Sequence, residues 1–162
     1  MTLQDELDDK LEMTKVTQQE LDVILDRHEG FVNNERDGKR MQLCMYDLSY
    51  MDMAGRDLSR AELTGAVLSN CNLEGTKLND AILFVTDLCY TNMAEAELNR
   101  AEMTGAKVAA DLSFTVLKGA NLSKSEFLMT DFSFADQRGT KLDKTDQRGT
   151  KGIPKKYEDD ED

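Results

Sequence analysis

The amino-acid sequence predicts an all-β solenoid, a chain that turns a corner every five residues and piles the resulting square coils on one another. Three observations predict it. A large apolar residue returns at every fifth position over most of the chain. A second residue, mostly small, sits two places before it. Longer stretches also come back: AELTGA at 61–66 returns as AEMTGA at 101–106, and DQRGTK at 136–141 returns at 146–151.

The large position runs Leu43, Leu48, Met53, Leu58, Leu63, Leu68, Leu73, Leu78, Leu83, Leu88, Met93, Leu98, Met103, Val108. The frame then slips by one residue and resumes as Leu112, Leu117, Leu122, Phe127, Phe132, Gln137, Leu142, Gln147. On an α-helix, residues five apart are rotated by about 140°, so these side chains would spiral and share no core. A strand of period two fits no better. A corner every five residues puts both the large and the small position inside. The position before the large one, as in Asp47, Asp57 and Glu62, then faces out. Four corners close a coil of 20 residues, and coils stack at a strand spacing of about 4.8 Å with their backbones paired. The slip between Val108 and Leu112 removes one corner residue, which predicts a local distortion and not a domain boundary.

AELTG at 61–65, AELNR at 96–100, AEMTG at 101–105 and ANLSK at 120–124 resemble the pentapeptide-repeat family. The resemblance covers about residues 41–150. It implies a right-handed quadrilateral parallel β-helix, here of about five to six coils. It implies no single activity, because one fold hosts unrelated functions. Large residues at the first small positions (Met41, Tyr46, Met51, Arg56) depart from the pattern and predict an irregular opening coil in contact with the N-terminal segment.

Solenoid ends need covering. Residues 1–40 are expected to form an acidic helical segment and cap, 41–152 the β-helix, and 153–162 an acidic disordered tail. Thr17 and Glu20 make a capping box, Val16 and Leu21 a hydrophobic staple, and Gly30 a stop for a helix over 17–29. Leu21, Ile24, Leu25 and His28 share one face of it, and Phe31 is a candidate anchor beyond. A weaker helical pattern covers 3–13. At the other end Gln137 and Gln147 replace apolar centres, and Pro154 ends the pairing.

The formal net charge is -12, but 42–153 carry only 16 acidic against 12 basic residues. No basic footprint for a nucleic-acid backbone exists, and no apolar run approaches a membrane span. The acidic N-terminus lacks a secretory layout, so a cytoplasmic protein is expected. Cys44, Cys71 and Cys89 form no paired motif and read as reduced thiols in or near the core. His28, the one histidine, reads as structural. With no nucleophile elbow, phosphate loop or metal spacing, and a core that leaves no room for a substrate, neither an enzyme nor a cofactor is expected.

Surface recognition remains. Ile82, Phe84 and Val85 form an apolar knob between polar neighbours a coil away. Phe114, Leu128, Met129 and Phe134 fall near adjacent corners of later coils. Exposed apolar patches mark contacts, so a protein partner or a second copy is expected there. One wall carries a candidate acidic face of Asp52, Asp111 and Asp131. Some pentapeptide-repeat proteins are thought to imitate duplex DNA, which makes an inhibitor of a type II topoisomerase one alternative. A rigid subunit of a larger, phage-like assembly is another.

Overall fold

The computed structural model describes residues 13–152. Its elements are β1 (Thr14–Lys15), α1 (Gln18–Val32), β2 (Tyr46–Asp47), β3 (Lys107–Val108) and β4 (Glu126–Phe127). The remainder of the rod is built from single parallel bridges, because the next corner arrives before a ladder can lengthen.

Most corners have one cause. The residue two places after the large position is left-handed, with φ from 51° at Val85 to 73° at Gly105. The next small residue donates its N–H back to the large residue's carbonyl, as Ala66 does to Leu63 at 3.0 Å and Ala96 to Met93 at 3.1 Å. One positive φ at the third of four residues, with this bond, makes a type II turn. Between corners, the outward residue bridges its counterpart in the next coil. The first wall runs Gln42, Glu62, Ile82, Glu102, Asn121, Lys141 and the second Asp47, Val67, Asp87, Lys107, Glu126, Asp146. The third runs Asp52, Asn72, Asn92, Asp111, Asp131, Lys151 and the fourth Asp57, Lys77, Glu97, Val116, Asp136.

The core lies on the axis. Leu48 through Phe132 at the large positions are at most 1% exposed. Each fully buried leucine is worth about 1.5–3 kcal/mol. The small position also accepts Thr, Ser or Cys because the hydroxyl or thiol has a fixed acceptor. Thr76, Thr91, Ser125 and Thr130 donate to the carbonyls of Met53, Leu68, Met103 and Val108 one coil back, at 2.6–2.9 Å.

At the slip the bridge spacing drops from twenty residues (Ile82 to Glu102) to nineteen (Asn92 to Asp111), then returns to twenty (Asp111 to Asp131). No left-handed residue lies between Gly105 and Phe114, so this corner is a bend at Ala110. The opened corner gives the ladder room for a second residue, hence β3 paired in parallel with β4.

The first coil keeps the regular turn: Met51 N–H reaches Leu48 O at 3.2 Å and Arg56 N–H reaches Met53 O at 3.1 Å. The predicted irregularity is confined to side chains. Met41 is buried, Tyr46 and Met51 pack on the core, and Arg56 holds Asp26 and Glu29 of α1. Helix α1 begins at the Thr17 capping box. Gly30, however, lies inside the helix, which runs on to Val32 with Asn33 as its C-cap. The reason is a backbone crossing. A Cβ on Gly38 would lie 2.2 Å from Phe31 N, and one on Gly30 would lie 3.3 Å from Gly38 Cα. Gly30 therefore admits the returning chain, while left-handed Asn34 (φ 59°) begins the reversal.

The helix meets the open edges of the first coil. Gln18 acts as a peptide group, donating Nε2–H to Asp52 O at 2.9 Å and accepting Asp52 N–H on Oε1 at 2.9 Å. Glu29 Oε1 accepts Asp57 N–H at 3.2 Å. β1 pairs in parallel with β2. Residues 1–12 and 153–162, and with them the N-terminal helical pattern and the acidic tail, lie outside the described residues. Met13, the last residue of that pattern, is not helical.

Candidate interaction surface

Most of the exposed large apolar side chains among the described residues follow the turn geometry. Met45, Tyr50, Val85, Tyr90, Phe114, Met129 and Phe134 all occupy the left-handed corner position and are 56–84% exposed. A non-glycine residue there costs roughly 1–2 kcal/mol, and a β-branched one such as Val85 is a true outlier. The cost is offset by little burial.

The sequence-predicted residues fall into two groups. Phe84 and Val85 sit at the corner between the first and second walls, 37% and 63% exposed, while Ile82 lies half-buried on the first wall. Glycines above and below leave Val85 standing proud: its Cγ1 lies 3.5 Å from where a Gly105 Cβ would be, and Met45 lies across Gly65. The second group borders the third wall. Leu128 and Met129 form its entry corner, 40% and 84% exposed. Phe114 and Phe134, one coil apart at its exit corner, stack with ring centroids 5.0 Å apart and planes at 12°. Between the two borders stand Asp111 and Asp131.

Asp52 stands in the same column three coils from the Asp111 level, separated from it by Asn72 and Asn92. Each aspartate uses one oxygen locally: Oδ1 accepts the N–H of Ala54, Ser113 or Ser133 at 2.9–3.1 Å. Ser133, hydroxyl first and then backbone, holds the Asp131 carboxyl below its ordinary value, with Lys151 of the same column adding to it. These carboxylates keep an outward oxygen for a donor. Sequence reasoning missed Met45, Tyr50 and Tyr90, although they occupy the same register position as Val85 and Phe114.

Elsewhere the chemistry is structural. His28 is fully buried; its Nδ1 accepts Met41 N–H at 2.9 Å and its Nε2 lies 3.0 Å from Ser59 O. Phe31 stacks on it and carries the Arg60 guanidinium 4.6 Å above its ring. All three cysteines are free. Cys71 is buried, with its thiol pushed up to about 11 by desolvation, but Cys44 is exposed at a corner rather than in the core. Among the described residues no group of His, Cys, Asp and Glu is arranged to hold a metal ion, and no helix is long and apolar enough to cross a membrane.

The family profile for pentapeptide repeats matches residues 47–83 and 110–146 in eight copies. The bridges run unbroken through the interval it omits. The chain belongs to the pentapeptide-repeat family. Among solved structures, it is similar to the pentapeptide-repeat protein Rfr23 from the cyanobacterium Cyanothece 51142 (24% identity, TM-score 0.52, 68% of this chain and 86% of that one). A pentapeptide-repeat protein from the Arabidopsis thaliana thylakoid lumen matches at 29% identity and TM-score 0.37, over 58% of this chain and 63% of that one. HetL, involved in heterocyst differentiation regulation in Nostoc, matches at 24% and 0.35, over 67% and 63%. The first of these shows the fold, a right-handed β-helix, and the other two carry no further argument. No curated protein sequence matches the chain.

Proposed function

We propose that this pentapeptide-repeat protein is a non-enzymatic interaction module of the cytoplasm: a quadrilateral rod of about five to six coils, closed at its N-terminal end by α1, that docks a protein through its third wall. One observation carries this reading. Large apolar side chains occupy left-handed corner positions, where glycine or asparagine would serve the fold better, and four exposed ones flank a pair of carboxylates. A partner presenting arginine beside apolar residues fits this surface. Its guanidinium would pair with Asp111 or Asp131 and lie against the exposed ring of Phe134.

A topoisomerase-directed DNA mimic is the weaker reading. Duplex DNA over the rod's length of roughly 26 Å would carry about 15 charges. The third wall offers Asp52, Asp111 and Asp131 against two asparagines and Lys151. A spacer subunit of a larger assembly would use the rod's stiffness but would leave the flanking aromatics without a role.

The test compares the wild-type chain with a Phe114→Ser/Phe134→Ser variant. Capture from host extract, read by quantitative mass spectrometry, should show at least one protein lost by the variant. Light scattering on the purified chains decides whether that partner is a second copy. Identical capture and identical mass for both chains would remove the third wall as the docking surface.

A further inference from the structure

The outward residues of the third wall, taken from the helix end, are Asp52, Asn72, Asn92, Asp111, Asp131 and Lys151, one per coil. Turned end for end, this column complements itself. Asp52 falls opposite Lys151, Asn72 opposite Asp131, and Asn92 opposite Asp111, and each pair occurs twice. An ion pair closes each end, and every pair between sets an amide donor against a carboxylate. The aspartates keep an oxygen for this, since Oδ1 is used within the coil. No like charges meet. The same reversal sets Asp47 against Asp146 on the second wall and Asp57 against Asp136 on the fourth, and on the first it sets Ile82 against Glu102. Third walls paired in parallel would oppose each charge to itself.

The relief of the borders follows the same rule. Two facing walls related by a two-fold axis across the rods bring each border against itself, reversed. At the entry corner exposed Tyr50 meets the level of Gly149. Exposed Tyr90 meets Ala110, where the corner is a bend and the side chain is buried. At the exit corner exposed Phe134 meets Gly75, where a Cβ would find nothing within 4 Å. Met129 meets Asn70 and Phe114 meets Glu95, so none of these bulky side chains opposes another. Charge along the rod runs the same way. Residues 42–116 carry 11 acidic against 5 basic residues, and 117–152 carry 5 against 7, so antiparallel rods attract.

Resting on the reading that the third wall docks a protein, we propose that its partner is a second copy of this chain. The two copies sit face to face and antiparallel, about a two-fold axis that crosses the wall between the levels of Asn92 and Asp111. In place of an arginine, the second copy brings Lys151 and the amides of Asn72 and Asn92. The size of the wall sets the strength of the contact. It is roughly 26 Å long and, with a side chain on each border of a core about 10 Å across, roughly 20 Å wide. About 500 Å² per copy, or about 1,000 Å² in all, lies at the low end for specific complexes, which gives a reversible dimer of micromolar affinity.

Sedimentation equilibrium of the full-length chain over a dilution series tests it. Wild type should pass from monomer to dimer in the micromolar range. Asp52→Lys and Lys151→Asp, made separately, each put like charges at both ends of the contact and should raise the dissociation constant at least about tenfold. Mixed in equal amounts, the two variants should recover wild-type association, because each reversed end then faces its complement. A parallel register gives no such recovery. Lys151 is exposed, so its exchange spares the fold, and circular dichroism checks both variants. A wild type that stays monomeric up to about 100 μM, a dimer indifferent to both exchanges, or no recovery on mixing would each overturn the proposal. A monomeric chain whose capture of a host protein still depends on Phe114 and Phe134 would remove the second copy and keep the wall. Capture and mass both unchanged by Phe114→Ser/Phe134→Ser would remove the wall itself.

Discussion

Lowering the pH from 7 to 5 should weaken this protein through one side chain, His28. The imidazole bridges helix to coil: Met41 N–H donates to Nδ1 at 2.9 Å, and Nε2–H donates to Ser59 O at 3.0 Å. That tautomer is neutral. A second proton on Nδ1 would face the Met41 N–H and break its bond. Burial lowers the pKa, outweighing the Ser59 and Leu58 carbonyls and Asp57, which favour the charged ring; Arg60 opposes it as well. Because the folded value lies below the unfolded one, the unfolded chain takes the proton first. The contribution is complete above the ordinary value of about 6.5 and is lost as pH falls toward the folded value. One proton allows a slope of at most about 1.4 kcal/mol per pH unit. Severing a buried backbone N–H from its acceptor costs about 1–3 kcal/mol in all. Urea unfolding at several pH values reads it, and this is the chain's only histidine. His28→Phe keeps a ring in place but leaves Met41 N–H and Ser59 O unpaired. It should cost roughly 2–5 kcal/mol at pH 7 and should flatten the slope between pH 5 and 6.5. The reasoning is refuted if wild type and His28→Phe show the same slope there.

Leu83→Ala, at a position fully buried mid-rod, should cost about 2–5 kcal/mol in chemical unfolding, since the coils above and below cannot close the gap. Gly38→Ala should be far worse than Gly55→Ala in a thermal melt. The added carbon at 38 meets backbone, Phe31 N at 2.2 Å, whereas at Gly55 it meets nothing within 4 Å and only the left-handed backbone resists. Tyr90→Asn should leave stability unchanged or raise it by up to about 1 kcal/mol, because Tyr90 is 76% exposed at φ 62°. A loss of more than that would mean the ring is held by contacts the fold needs.

The rod was legible because its period of five has one physical solution, and the inward residues, from Leu43 to Phe132, could be read from spacing alone. Thr17 and Glu20 marked the helix start for the same reason: a cap is local. Gly30 misled because its role is not local; Gly38, eight residues on, decides it. Cys44 was placed in or near the core, but it occupies the corner position just after a large residue, which faces solvent. Of the exposed apolar set, Phe114, Met129 and Phe134 were found by residue type. Met45, Tyr50 and Tyr90 needed the turn type, since only the left-handed position tells which side chains must stand outside. A cleft lined by Arg27, Lys39 and Arg40 could not be seen at all, because these residues border one opening only when the chain folds back after α1.

The missing residue at Ala110 has a bearing on how the chain finds its fold. In a tube of identical turns, pairing every segment with the wrong neighbour one level up would sacrifice little, and many such states would compete with the native one. A single nineteen-residue level removes that equivalence. Any mispairing that carries it elsewhere must put a short loop against full-length ones, so the defect works as an index mark that gives each level a unique address.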